Sequence, residues 1–175
     1  LHTLAGRPMV AYPVQAALDA GAERVVVVVG RGSDAVTQAL TLELPRPVLL
    51  LEWTDPPFSA GHWLPDLVRL GGGDARLANP AKDSQRLDWD LIAASDAEVV
   101  VVAPCGYHLE AATDIAEATL AHGALPPDAE VWAVDADAFF VRPGPRVVDG
   151  VEIMSRILHP GVCGAPDPST ATRIA

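Results

Sequence analysis

A chain of 175 residues with 50% hydrophobic and only 20% charged residues carries enough apolar surface for one well-buried core, which excludes a disordered polypeptide. Twelve Lys and Arg against 23 Asp and Glu leave a net charge of −11 with no basic stripe, so nucleic acid is a poor partner. No apolar run approaches the roughly 20 residues needed to span a bilayer, so direct membrane insertion is not expected.

The front of the chain has helical spacing over Pro8 to Ala20, followed by VVVVVG, Val25 to Gly30. That continuous β-branched run suits a strand buried on both faces of a parallel sheet. A second helical segment covers Ser33 to Leu40, with Ser33 placed to cap it. At TLELPRP, Thr41 to Pro47, the composition changes and two prolines mark a junction. Three further strand-like runs follow: VLLLEW at Val48 to Trp53, EVVVVAP at Glu98 to Pro104, and EVWAVDA at Glu130 to Ala136. Helical spacing covers Leu64 to Leu70, Trp89 to Ala94, Leu109 to Ala121 and Pro145 to Leu158. Asp88 is placed to cap the Trp89 helix, and Gly71-Gly72-Gly73 to end the Leu64 helix. The alternation predicts a three-layer α/β/α sandwich with a mainly parallel sheet and right-handed crossovers. The expected organisation is a βα segment over 1–41, a junction over 42–47, a main lobe over 48–160, and a flexible tail over 161–175, which is rich in Pro, Ser and Thr.

The aromatic residues are concentrated where strands end. Trp53, Phe58 and Trp63 crowd the stretch LEWTDPPFSAGHWLPDLVRLGGG, Leu51 to Gly73; Tyr107 follows the next strand, and Phe139 and Phe140 follow the last. In open α/β sheets the ligand crevice lies beyond the carboxyl ends of the strands, so these rings are candidates for holding a flat, partly apolar ligand. The alternative is a small satellite core under a long loop. Asp55, Ser59, His62, Asp137 and Arg142 stand among the rings as polar partners. Asp55, before two prolines, also reads simply as a turn residue. His62 reads as a rim group, because no second ligand stands at metal spacing, and no metal site is expected. Cys105 directly follows a strand and reads as a small buried hydrophobe; neither it nor Cys163 belongs to a CxxC pair, and neither informs on compartment.

From about Arg46 to Pro160, these segments, with LDWDLIAASDAEVVVVAPCGYHLE and VWAVDADAFFVRPGPRVVDGVEIMSRILHP, resemble the C-terminal lobe of cobalamin-binding proteins of the periplasmic vitamin B12 and iron-siderophore binding superfamily. The resemblance implies one lobe of a substrate-binding protein that holds a corrinoid and delivers it to an ABC importer. It implies a binder without catalytic residues, with cobalamin as transported ligand and no resident cofactor. Its ligand contacts would be Trp53, Asp55, Phe58, Ser59, His62, Trp63, Tyr107, Phe139, Phe140 and Arg142, and Asp66 would dock on the transporter permease. The compartment stays open: extracytoplasmic if a signal is present, otherwise cytoplasmic.

Leu1 to Leu40 instead resembles the early part of sugar-phosphate nucleotidyltransferases of the N-acetylglucosamine-1-phosphate uridylyltransferase type. In that family a Gly-rich loop with an Arg, and then a Lys, precede the segment matching LHTLAGRPM, so the resemblance implies a nucleotidyltransferase-derived, nucleotide-binding fragment without its catalytic apparatus. A fusion with no function of its own is a further alternative. Gly30, Gly32 and Ala35 after a strand, with Glu52 ending the next, also outline a dinucleotide site in which Glu52 accepts from a ribose hydroxyl.

Overall fold

The computed structural model describes residues 2–4, 7–22, 25–28, 35–36, 40 and 45–175. It divides into two compact units, Leu1–Pro45 and Arg46–Ala175. In the first, β1 (Thr3–Leu4) and β2 (Arg7–Pro8) pair antiparallel, and α1 (Ala11–Asp19) follows, burying Ala11 and Val14. Of the strand expected over Val25 to Gly30, the described residues Val25 to Val28 form no ladder, and Val26 and Val28 are exposed. Apolar runs become buried strands only where neighbours supply hydrogen-bond partners and cover. The remainder of that run, the Ser33 cap, Gly30, Gly32 and most of the 41–47 junction lie outside the described residues.

The second unit is built on one sheet of order β4-β3-β6-β7-β8, with β5 also paired to β3. Strands β3 (Arg46–Thr54), β6 (Val99–Val102) and β7 (Glu130–Val134) run parallel at its centre. Their register sets Leu49 beside Val100 and Val100 beside Val131. β5 (Gly73–Ala75) is parallel to β3, whereas β4 (Pro57–Ser59) and β8 (Ala171–Arg173) are antiparallel edges. β3 over Val48–Leu51 and β6 bury both faces, which is why they are runs of Val and Leu rather than alternating sequences.

Each face is covered by helices. Val48, Leu50, Val99 and Val101 pack with Leu64, Leu67 and Val68 of α2 (Leu64–Leu70) and with Ile153, Met154 and Ile157 of α6 (Val147–Leu158). Leu49, Leu51, Val100 and Val102 pack on the other side with Ile92 of α3 (Trp89–Ala93) and with Ala112 and Ala116 of α4 (Leu109–Ala121). The short helix α5 (Ala136–Phe139) leaves the end of β7, and Asp135 caps it by accepting the Ala138 N–H at 3.0 Å. Asp88 precedes α3 in extended conformation but makes no side-chain cap bond. The tail expected to be flexible is ordered: it forms α7 (Pro160–Cys163) and then β8, whose Ala171 is buried beside Val134. Pairing with β7 supplies the order that its composition does not.

Candidate functional site

The carboxyl ends of β3 and β6 and the start of α2 meet in a cleft of about 290 Å³ lined by Glu52, His62, Trp63, Leu64, Cys105 and Val141. Its central group is placed by a defect in the ladder. The register of β3 against β4 slips between Leu51 and Trp53, so Glu52 lies in the irregular step. Bulges of this kind re-aim a side chain, and the Glu52 carboxylate accepts the Gly61 N–H at 2.6 Å. The Glu52 carbonyl in turn accepts the Cys105 N–H at 3.1 Å, tying the two strand ends together. Burial pushes the Glu52 carboxyl above its ordinary value, opposed by the Gly61 hydrogen bond and by the His62 charge.

His62 has φ 53°, a left-handed backbone, and its ring lies 5.9 Å from that of Trp63. The Trp63 indole N–H donates to the Phe140 carbonyl at 2.8 Å, so Trp63 presents its ring rather than a donor to the cleft. Cys105 is exposed at the rim, contrary to its reading as a buried hydrophobe, because the chain has left the sheet by that position.

The other sequence candidates separate into distinct groups. Trp53 and Tyr107 form a tilted ring pair, centroids 5.6 Å apart, on the same two strand ends, with the Trp53 indole N–H donating to the Asp55 carbonyl at 2.9 Å. Asp55 is in the β3–β4 turn. Phe58 pairs across the strands with Trp53. Ser59 and Phe140 are fully buried and closed to any ligand: the Ser59 hydroxyl accepts from the Gln85 N–H at 3.1 Å, and Phe140 packs in the core beneath α2 and α6. Phe139 lies under the Arg146 guanidinium at 5.8 Å. Arg142 bonds Asp137 at 2.7 Å, and this partner holds Asp137 below the usual carboxylate range. His108 joins the group, 3.0 Å from Asp135 and 3.8 Å from Asp137. Asp66 pairs with Arg69 at 3.3 Å on the exposed side of α2. Sequence reasoning missed Leu64, Cys105 and Val141 as lining residues; only Cys105 carried a signal, its place just past a strand.

Comparison with known proteins assigns the likeness elsewhere. The chain is 44% identical over 62 residues to the bifunctional protein GlmU of Anaeromyxobacter sp. (strain K), 35% of this chain and 13% of that protein. It is 65% identical over 40 residues to the GlmU of Sorangium cellulosum, 23% of this chain and 8% of that one. With the GlmU of Methylibium petroleiphilum it shares 31% over 122 residues, 68% of this chain and 25% of the relative. The chain thus spans a quarter or less of the length of these curated relatives. No family model matches, and no solved structure matches.

These likenesses correct the reading as one lobe of a B12 or siderophore receptor. The alternating α/β architecture is consistent with a GlmU-like nucleotidyltransferase, and nothing supports a corrinoid ligand or an ABC permease partner, nor the periplasmic transport role drawn from them. The expectation of a non-enzyme is corrected likewise, since the recurrent likeness is to an enzyme. The similarity is not confined to the front segment where sequence reading placed it. A match covering 68% of the chain extends well past Pro45, the end of the first unit.

Proposed function

We propose that this chain is a nucleotidyltransferase-derived α/β protein that binds a nucleotide in the cleft at the carboxyl ends of β3 and β6. The observation that carries this reading is the recurrence of GlmU among its relatives, including one likeness that runs past the first unit. The cleft supports it physically. It lies where ligands of open α/β sheets bind, and it combines an aromatic face, a carboxylate and apolar walls. In this reading Trp63 and His62 contact the ligand inside the cleft, and the Trp53–Tyr107 pair offers a second aromatic surface beside it. Arg142, next in the chain to the lining residue Val141 and paired with Asp137, is the cation toward which phosphates would extend.

Calorimetric titration of UTP into the full chain tests this, with NAD in parallel for the dinucleotide outline. Saturable UTP binding, weakened about tenfold by Trp53→Ala through loss of a stacking surface, is the expected result. Absence of saturation up to about 1 mM, an affinity of only about 4 kcal/mol, contradicts it.

A further inference from the structure

The cleft is more selective than a general nucleotide site, and the reason is the set of groups that line it. Glu52 uses one carboxylate oxygen, Oε1, to accept the Gly61 N–H at 2.6 Å, which fixes the side chain while leaving its second oxygen without a bond to Gly61. The neighbouring Trp63 spends its only side-chain donor on the Phe140 carbonyl and so adds a ring surface alone. Leu64 and Val141 complete an apolar wall. Among the residues lining the cleft, His62 is the sole basic one. A phosphate placed there would meet a carboxylate and no Lys or Arg, inside a protein of net charge −11. A volume of about 290 Å³ sits at the low end for ligand pockets and suits one ring rather than a whole nucleotide.

The geometry points to Glu52 as the group that fixes the hydroxylated sugar ring of the ligand, accepting hydrogen bonds from a vicinal diol while the phosphates remain outside the cleft. This rests on the nucleotide reading and sharpens it: Glu52 selects ribonucleosides over deoxyribonucleosides. A carboxylate held by a backbone N–H is a preorganised acceptor, and a site built to bond a hydroxyl strongly rejects the analogue that lacks it. The Trp63 ring faces the same space and offers an apolar surface to the C–H face of a sugar ring.

The test is a four-way titration of uridine, 2′,3′-dideoxyuridine, UTP and inorganic phosphate into wild-type protein and Glu52→Gln. Wild-type protein should bind uridine about tenfold more tightly than the dideoxy compound, the factor expected for a hydrogen bond to a charged group. Glu52→Gln should lose that discrimination, and inorganic phosphate should not compete with uridine. The amide oxygen of Gln can still accept from Gly61, and a single cooperative thermal melt would confirm that the variant folds. Should the variant fail to fold, the wild-type comparison of uridine with dideoxyuridine decides alone. Equal affinity for the two nucleosides, with UTP still bound, overturns the role of Glu52 and leaves the nucleotide reading standing. No binding of any nucleoside or nucleotide overturns both.

Discussion

At the scale of single residues, His159 shows how burial decides charge. It follows α6 with 2% of its surface exposed; Nε2 lies 3.3 Å from the Gly72 carbonyl, and Nδ1 has no partner among the described residues. Burial holds its pKa below the ordinary value, the Gly72 carbonyl opposing and the Arg46 charge assisting. The folded chain therefore keeps His159 neutral, and the unfolded chain binds the proton more readily. Its contribution to stability is complete above the unfolded value of about 6.5 and is lost as the pH falls below it. Thermal melts between pH 8 and pH 5 should show a steeper acid loss for wild type than for His159→Gln; parallel curves would contradict this. Glu52 acts with the opposite sign. Its raised pKa favours the folded state where the carboxyl is protonated, and that contribution fades as the pH rises through the folded value.

At the scale of elements, the two helices over one sheet face pack too closely for an added methyl. A Cβ on Gly150 of α6 would overlap the Phe139 carbonyl oxygen and come within 3.1 Å of Leu67 Cδ1 on α2. Alanine gains about 1 kcal/mol in helix propensity, but overpacking against a backbone atom costs about 1–3 kcal/mol, so the clash prevails. Gly150→Ala should lower unfolding stability in urea, whereas an unchanged or raised midpoint would show that α6 shifts freely.

The same packing explains which elements were legible. Runs such as Val99–Val102 declare themselves because both faces are buried, and α2 is bounded by Pro65 in its first turn and by the glycines after Leu70. β8 carries no such signal: Ala171–Arg173 is a strand because β7 offers it an edge. Val25–Val28 has the same composition as Val99–Val102, yet no ladder forms on it. The site was partly legible for a similar reason. Aromatics after strands lie at the edge of the sheet where the cleft opens, but the position of Glu52 depends on a slip against β4, and the burial of Phe140 on helices that close over it. Neither is local to the sequence.

At the scale of the whole molecule, the net charge of −11 bears on what the cleft can hold. Raising salt screens long-range repulsion, so UTP, which carries phosphates, should bind less weakly at about 0.5 M than at about 0.05 M salt relative to uncharged uridine. A common salt response for both ligands would mean that the charge field does not reach the site. Likeness to GlmU is densest over short stretches, yet its longest span, 122 residues, extends well past the end of the first unit. The proposed nucleotide site lies in the second unit, where the cleft is. Amide chemical-shift mapping of the full chain during a UTP titration tests that assignment most directly. The expected result is that the largest saturable shifts fall on Glu52, Gly61, His62, Trp63 and Cys105. Shifts confined to residues 1–45, or none at all, would contradict it.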